Sequence, residues 1–329
     1  MFDDRGANHI STGRLPDPDR VRSLVDEAHR RFSPIRDGAN SSVYPALQQL
    51  DPDLFGISIT GVTGNVYDAG DTDVEFPVMS VAKPFVFGLV CEALGPDEAR
   101  DKLGVNATGL PFNSVEAIER NAGLTNPMVN PGAIAAAGLV PGGSAEERWE
   151  TLLAGLSQFA GRSLNLDEAV YRSASETNLR NRALAQLLDS FGTIYGDPLE
   201  TLDIYTRQSS VAVTARDLSV MAATLADGGV NPVSGERVVE ASVCRYVLAV
   251  MTTAGLYESS GDWLYDVGLP GKSGIGGGII TVSPGKGGMA VFSPRLDRAG
   301  NSVRGQLVSA HLSHALGLDL FASQEFRDD

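Results

Sequence analysis

Residues 74–89 read VEFPVMSVAKPFVFGL, and within this stretch the sequence pattern changes from that of a strand to that of a helix. The segment 74–79 is short and mostly apolar, which is typical of a buried strand. From there, apolar residues recur at helical spacing as far as Leu89. The change of period predicts that Ser80 lies at a strand-to-helix junction.

Strand-like segments occur toward both ends of the chain, and a mostly helical block over about residues 95–260 separates them. These segments are 54–59, 66–67 after the turn at Gly64-Asn65, 74–79, 275–282 and 289–292. Segregated strands and helices are typical of an α+β fold rather than of alternating βαβ units. We therefore expect one antiparallel sheet, built from N- and C-terminal segments, that packs with the helical block.

Helix-start signals in the sequence are consistent with this arrangement. Asp17-Pro18 begins a first amphipathic helix, and the turn near Gly300 precedes a last helix at about 303–318. Thr214-x-x-Asp217 is a capping box inside the helical block. The first 16 residues lack periodicity, so we expect a loose arm over 1–16 and a single domain over 17–329.

The composition excludes several functional classes. The chain has 329 residues with a net charge of −15, whereas nucleic acid and anionic membranes attract clustered cations. Two cysteines are too few for a disulfide framework or a thiolate zinc site. We see neither a signal peptide nor a run of 18 uncharged apolar residues. These features predict a cytoplasmic protein with no nucleic-acid or membrane partner.

Ser80-x-x-Lys83 is the sequence pattern that best fits covalent chemistry. Residues three apart in a first helical turn face the same side, so the lysine amine can reach the serine hydroxyl. A lysine accepts a proton at neutral pH only if burial or a neighbouring cation lowers its pKa. Lys272, followed by Ser273, supplies a possible second cation, as in the Lys-[Ser/Thr]-Gly element of penicillin-recognising hydrolases.

The sequence gives less support for a catalytic triad, a zinc site or a phosphate-binding loop. The four histidines do not stand near a nucleophile-like turn or at metal-ligand spacing, which argues against a Ser-His-Asp triad and a zinc site. Gly271-Lys272-Ser273 resembles the end of a phosphate-binding loop, but Asp266 stands where that loop needs glycine. We expect neither a metal nor an organic cofactor.

Several motifs together resemble the serine-dependent glutaminase family over nearly the whole chain. They are Asn126-Pro-Met-Val-Asn130-Pro-Gly-Ala-Ile134, Arg180-Asn181, Tyr205-x-x-Gln-Ser209, Gly255-Leu-Tyr257, Gly268-Leu-Pro-x-Lys-Ser-Gly274 and Phe292-Ser-Pro-x-Leu-Asp297. The resemblance implies a β-lactamase/DD-peptidase-like fold, a homodimer or homotetramer, and hydrolysis of L-glutamine to L-glutamate and ammonia.

The resemblance also implies roles for particular residues. Ser80 would be the nucleophile, Lys83 its base, and Tyr257 a donor to the departing ammonia. Ile275, where the family usually has valine, would contribute its backbone N–H to an oxyanion hole together with that of Ser80. Positions that match those gripping the amino-acid end of the substrate are Tyr44, Asn130, Asn181 and Tyr205.

One position departs from the family pattern. The family has glutamate seven residues before the asparagine of Arg-Asn, and this chain has Ala174 there. Glu176 lies two residues further on, about 200° away around a helix, and we expect it to replace the missing carboxylate only if the local backbone permits. Two alternatives to a glutaminase therefore stay open: a β-lactam- or peptide-directed Ser-x-x-Lys hydrolase, and a non-catalytic glutamine-binding sensor.

Overall fold

The structure is a computed structural model that describes residues 13–323, so residues 1–12 of the predicted arm lie outside the described residues. Fourteen helices lie in this part of the chain: α1 Pro18–Phe32, α2 Pro45–Gln48, α3 Lys83–Leu94, α4 Pro96–Leu103, α5 Val115–Arg120, α6 Asn130–Gly138, α7 Ala145–Ala160, α8 Glu168–Thr177, α9 Leu179–Ser190, α10 Pro198–Ser209, α11 Ala215–Ala226, α12 Ala241–Ala254, α13 Ser260–Val267 and α14 Val303–Ala315. The described strands are β1 Gly56–Gly61, β2 Val66–Gly70, β3 Phe76–Pro77, β4 Asn165–Leu166, β5 Val211–Val213, β6 Gly271–Ser273, β7 Gly278–Ser283 and β8 Gly287–Phe292. Two short 3-10 helices, Met79–Ala82 and Tyr257–Ser259, complete the set.

The main sheet has five strands in the order β2-β1-β8-β7-β6, and every pairing in it is antiparallel. Its central pairing joins β1, near the N-terminus, to β8, near the C-terminus, with Ile59 opposite Met289. The predicted α+β fold with a sheet built from both ends of the chain is thereby confirmed.

The strand predicted over 74–79 is wrong in length. Only Phe76 and Pro77 pair, and they do so with β5 in a separate three-stranded sheet of order β3-β5-β4. Proline cannot donate to a ladder, and the Met79–Ala82 turn begins directly afterwards. The late strand predicted from Ile275 begins instead at Gly278, because residues 274–277 form the turn that joins β6 to β7.

Helices cover both faces of the main sheet. Helix α11 packs against β8, β1 and β7 on one face, while α1 and α14 cover the other face. Gly288 permits the close approach of α11, since a Cβ at that position would lie 2.3 Å from the Ala223 backbone nitrogen. Helix α11 starts at the predicted capping box, with Thr214 and Asp217 exchanging hydrogen bonds.

Most of the remaining helices form a second core beside the small sheet, whereas α13 packs with α1 and α14. The ring of Phe76 stacks on that of Phe292 with centroids 3.8 Å apart, which joins the small sheet to the main one. In residues 13–323 no single helix is long and apolar enough to cross a membrane, and only the sharply bent pair α3 and α4 meets that test jointly, by length and composition alone.

Candidate active site

The Met79–Ala82 turn presents Ser80 at the junction between the two sheets. Met79 adopts φ 48°, a left-handed conformation that is uncommon for a residue with a side chain. Ser80 is buried, and its carbonyl accepts a hydrogen bond from the backbone N–H of Lys83, which begins α3. The predicted junction is therefore found, with a 3-10 turn rather than an α-helical start at the serine.

Lys83 is 2% exposed, and its Nζ donates to Asn130 Oδ1 at 2.7 Å. Asn130 opens α6, and its Nδ2 donates to Asn181 Oδ1 on α9 at 3.0 Å. The Tyr205 hydroxyl, on α10, donates to the same Asn130 Oδ1 at 3.1 Å. Four residues predicted from the sequence thus form one buried hydrogen-bonded network.

Burial governs the protonation of both lysines in this region. It lowers the pKa of Lys83 to about 7, because the site withholds water from the ammonium. Burial also lowers the pKa of Lys272 well below its ordinary value, and the charge of Lys83 lowers it further. A proton on one of these amines therefore disfavours a proton on the other.

Tyr257 lies beside Lys272 and Ser80. It adopts φ 60°, its hydroxyl donates to the Ser273 carbonyl at 3.1 Å, and its ring lies 4.2 Å from Lys272 Nζ. Burial raises the pKa of Tyr257, and hydrogen bonding with the Ser80 side chain acts in the opposite direction. The phenol therefore stays protonated and lies next to the serine.

Lys272 and Ser273 hold the end of β6 in place. Lys272 Nζ donates to the carbonyls of Gly255 at 2.9 Å and Ser273 at 2.7 Å, and the Ser273 hydroxyl donates to Asn301 Oδ1. Both residues are fully buried. Because its acceptors are backbone carbonyls, one of them that of Ser273 at the end of β6, Lys272 fixes the position of the strand.

The turn after β6 faces the backbone of Ser80. A Cβ on Gly274 would lie 3.2 Å from the Ser80 backbone nitrogen, so this turn packs closely on the serine. Among the described residues, no hydrogen bond from the Ile275 N–H is found. Ser80 and the turn that carries Ile275 therefore lie on neighbouring segments.

Tyr44 marks the other end of the candidate site. Its hydroxyl donates to Asn178 Oδ1 at 3.4 Å, and Asn178 Nδ2 donates to Thr206 Oγ1 at 3.2 Å. Burial raises the pKa of Tyr44 to about 12. Sequence reasoning missed Asn178 and Thr206, although Asn178 lies in the gap between α8 and α9, where a polar side chain is free to turn inward.

The structure does not bring Glu176 to the other predicted residues. Its side chain is exposed on α8, whereas Ala174 is buried beside Tyr44 and Met79. The two positions lie on different sides of the helix, as a separation of two residues dictates. The placement therefore does not support the prediction that Glu176 replaces the missing carboxylate.

An open cavity of about 740 Å³ adjoins these residues. Ile275 and Phe112 line it together with the segment 40–43 and the turn near Arg298. The Phe112 ring lies 4.6 Å from that of Tyr257, and its carbonyl accepts a 2.8 Å bond from the Asn130 N–H. The cavity therefore leads from solvent toward the buried network.

Metal binding has little basis in residues 13–323, where no three His, Cys, Asp or Glu side chains form a group that could hold an ion. The chemistry available at the site is that of a serine hydroxyl, two desolvated lysines and a tyrosine.

Comparison with known proteins identifies a single family. The family model described as Glutaminase matches residues 38–321. "Glutaminase 2" of Yersinia pestis is 59% identical over 98% of this chain and 95% of its own length, and "Glutaminase" of Colwellia psychrerythraea is 48% identical over 94% and 99%.

Solved structures agree with the sequence comparison. A protein described as "Probable glutaminase ybaS" superposes with a TM-score of 0.92 at 44% identity, covering 93% of this chain and 100% of that one. The structure of Mglu in its glutamate form gives a TM-score of 0.87 at 37% identity, covering 94% of this chain and 70% of that one.

Proposed function

Since the chain belongs to the glutaminase family and hydrolyses L-glutamine to L-glutamate and ammonia, we propose that it does so through an acyl-enzyme on Ser80. The observation that carries this proposal is the burial of Lys83 in the turn after Ser80, with a pKa of about 7. Family membership also favours the glutaminase over the β-lactam-directed hydrolase and the non-catalytic sensor.

In the first step, neutral Lys83 accepts the Ser80 proton while the serine oxygen attacks the side-chain amide carbon of glutamine. The negative charge moves onto the amide oxygen, which the backbone N–H groups of Ser80 and Ile275 stabilise. Removing one donor of this kind raises the barrier of comparable enzymes by about 3–4 kcal/mol.

Collapse of this intermediate breaks the carbon–nitrogen bond. The leaving nitrogen takes a proton from Lys83, either directly or through the Tyr257 hydroxyl, which gives up its proton and takes that of Lys83; Lys83 is then neutral again. A γ-glutamyl ester on Ser80 remains. Water then attacks the ester, Lys83 accepts a proton from it, and glutamate leaves as the serine oxygen is reprotonated.

Polar residues around Lys83 are suited to the amino-acid end of the substrate. The α-carboxylate needs donors, and amide Nδ2 and phenol groups supply them. Asn130 and Asn181 hold each other in fixed orientation, and Tyr205 is anchored on Asn130. We assign carboxylate and amine binding to this network and to Tyr44.

We also propose that the enzyme acts in the cytoplasm as a homodimer or homotetramer. Cys91 and Cys244 are buried free thiols, as a reducing compartment allows. The oligomeric state is proposed from the resemblance to the family. Light scattering of the purified chain measures the assembly state directly.

Ser80→Ala tests the covalent scheme. Removing the nucleophile is expected to lower ammonia release from glutamine by about 10⁴-fold or more, with an unchanged thermal midpoint. Ser58→Ala serves as the control, because its buried hydroxyl bonds Ser219 in the sheet, away from the site. Near-normal ammonia release by Ser80→Ala would exclude the acyl-enzyme.

A further inference from the structure

The end of the site around Tyr44 combines apolar and neutral polar groups, and none of residues 13–323 places a buried carboxylate there. From this we propose that the enzyme also hydrolyses γ-carboxamides whose α-nitrogen is acylated and uncharged, the N-acyl-L-glutamines, and that Ala174 sets this specificity. The inference rests on the proposed function, since the same Ser80 chemistry acts on both substrates.

The distribution of carboxylates is the first argument. In the part of the chain that the structure describes, Asp217 is the only buried carboxylate. It caps α11 and binds Arg162 through both oxygens, at 2.7 and 2.6 Å. Glu176 and Glu258, which stand close in sequence to site residues, are both exposed. A bound ammonium therefore finds no buried counter-ion.

The local packing is the second argument. Ala174 and Val170 lie one turn apart on the buried face of α8 and pack with Tyr44 and Met79 in one apolar cluster. The partly buried side chain of Ile275 packs against this cluster. A methyl group at position 174 thus occupies a place from which a longer acidic side chain could reach the substrate amine.

The other polar groups near Tyr44 also disfavour a bound ammonium. Tyr44 keeps its proton, because burial raises its pKa to about 12, so it offers no negative charge. Asn178 is already engaged with Tyr44 and Thr206. Neither Lys83 nor Lys272, both buried, carries a negative charge in any protonation state, so neither offers an ammonium a counter-ion. Burying an ammonium among neutral acceptors is costly, whereas a neutral amide nitrogen needs only a single acceptor.

Space for an acyl group is the third argument. The open cavity of about 740 Å³ falls in the range of small-molecule sites and is lined by Ile275 and by the exposed apolar side chain of Val43. Of the charged residues on its wall, Asp297 already accepts bonds from Ala299, Asn301 and Gln306. The others, Asp37 and Arg298, are exposed to solvent. Val43 on the cavity wall directly precedes Tyr44 in the chain, so the cavity offers room for an uncharged group at this end of the site.

The test compares kcat/KM for N-acetyl-L-glutamine and L-glutamine at pH 8 in the wild type, Ala174→Glu and Ala174→Gln. In the wild type we expect N-acetyl-L-glutamine to be used at least as efficiently as L-glutamine. Ala174→Glu should shift the ratio of the two substrates about tenfold or more toward glutamine, because it supplies a counter-ion. Ala174→Gln has a similar shape without the charge and should shift the ratio far less.

The expected change lies mainly in KM, since the contact is made equally in the ground state and the transition state. A wild-type enzyme that uses N-acetyl-L-glutamine about 100-fold less efficiently than glutamine would overturn the proposal. An equal shift by the Glu and Gln variants would overturn the role of charge at position 174. Should Ala174→Glu fail to fold, the wild-type ratio alone decides. Activity of Ser80→Ala on both substrates would instead refute the proposed covalent mechanism.

Discussion

Lys83 and Arg304 are both buried cations, and they differ in how completely their surroundings satisfy them. Arg304 is 1% exposed and donates to the Ser293 hydroxyl at 2.8 Å and to the carbonyls of Pro52 and Leu54 at 2.9 and 3.2 Å. In the described part of the chain, Lys83 Nζ has one hydrogen-bond acceptor, Asn130 Oδ1.

This difference in hydrogen-bonding partners separates a charged residue that stabilises the fold from one that can act as a base. A guanidinium stays protonated even though burial lowers the pKa of Arg304, and its ring of acceptors offsets the cost of desolvation. Lys83 lacks such a ring, so burial lowers its pKa to about 7 and part of the population loses its proton at neutral pH. Incomplete solvation is thus what makes the lysine a base.

Lys83→Met should produce the largest loss of activity of the substitutions that test this comparison. Without the amine, Ser80 has no proton acceptor, and we expect kcat for glutamine to fall by about 10³-fold or more. Lys286→Met is the matched control, because Lys286 is another buried lysine whose Nζ donates to the Gly317 carbonyl away from the site. The control should keep its kcat, and comparable losses in both variants would show that any buried lysine is needed for folding.

The same substitution should increase stability. The folded-state pKa of about 7 lies below the ordinary 10.5, so the unfolded chain binds more protons between these values and the Lys83 penalty is complete only below pH 7. Lys83→Met should raise the free energy of unfolding by roughly 2–4 kcal/mol at pH 7. The gain should shrink as the pH approaches 10.5. Denaturant titrations at pH 7 and pH 9.5 measure it, and a loss of stability would contradict the assigned pKa.

Arg304→Met should lower stability and leave activity unchanged, the reverse of Lys83→Met. Removing the guanidinium leaves the carbonyls of Pro52 and Leu54 unpaired, and we expect a loss of about 3–5 kcal/mol in the free energy of unfolding. The kcat/KM of the protein that remains folded should be unchanged. Arg30→Met, at an exposed position on α1, should change the free energy by less than about 0.5 kcal/mol. A small effect of Arg304→Met would remove its structural role.

Gly274→Ala tests the position of Ser80 through a smaller structural change. The added methyl would lie 3.1 Å from the Val78 carbonyl oxygen and 3.2 Å from the Ser80 nitrogen, so the turn must shift by a few tenths of an ångström. We expect kcat to fall about tenfold. Gly261→Ala meets nothing within 4 Å and should leave kcat unchanged. Equal rates in the two variants would show that Ser80 tolerates this displacement.

Much of the architecture follows from local sequence patterns. The pairing of β1 with β8 follows from strand-like segments placed at the two ends of the chain, and the start of α11 follows from its capping box. Strands of two or three residues, such as β3 and β4, carry too little periodicity to be recognised, and long-range pairing decides them.

In the candidate site, too, some features follow from local sequence and others depend on tertiary contacts. Spacing alone indicates Ser80 and Lys83, and the resemblance adds Asn130, which the structure places on Lys83. The left-handed backbone of Met79 has no sequence signal, because tertiary contacts impose it. The exposed position of Glu176 depends on where α8 starts, which propensity does not fix to within two residues.

The pH dependence of kcat/KM for L-glutamine between pH 5.5 and 8.5 tests most directly whether Lys83 acts as the neutral base. If it does, kcat/KM rises about tenfold per pH unit at the acidic end and levels off above about 7, the pKa of Lys83. The thermal midpoint, recorded in the same buffers, shows that the enzyme stays folded throughout. A flat profile across this range would contradict the account.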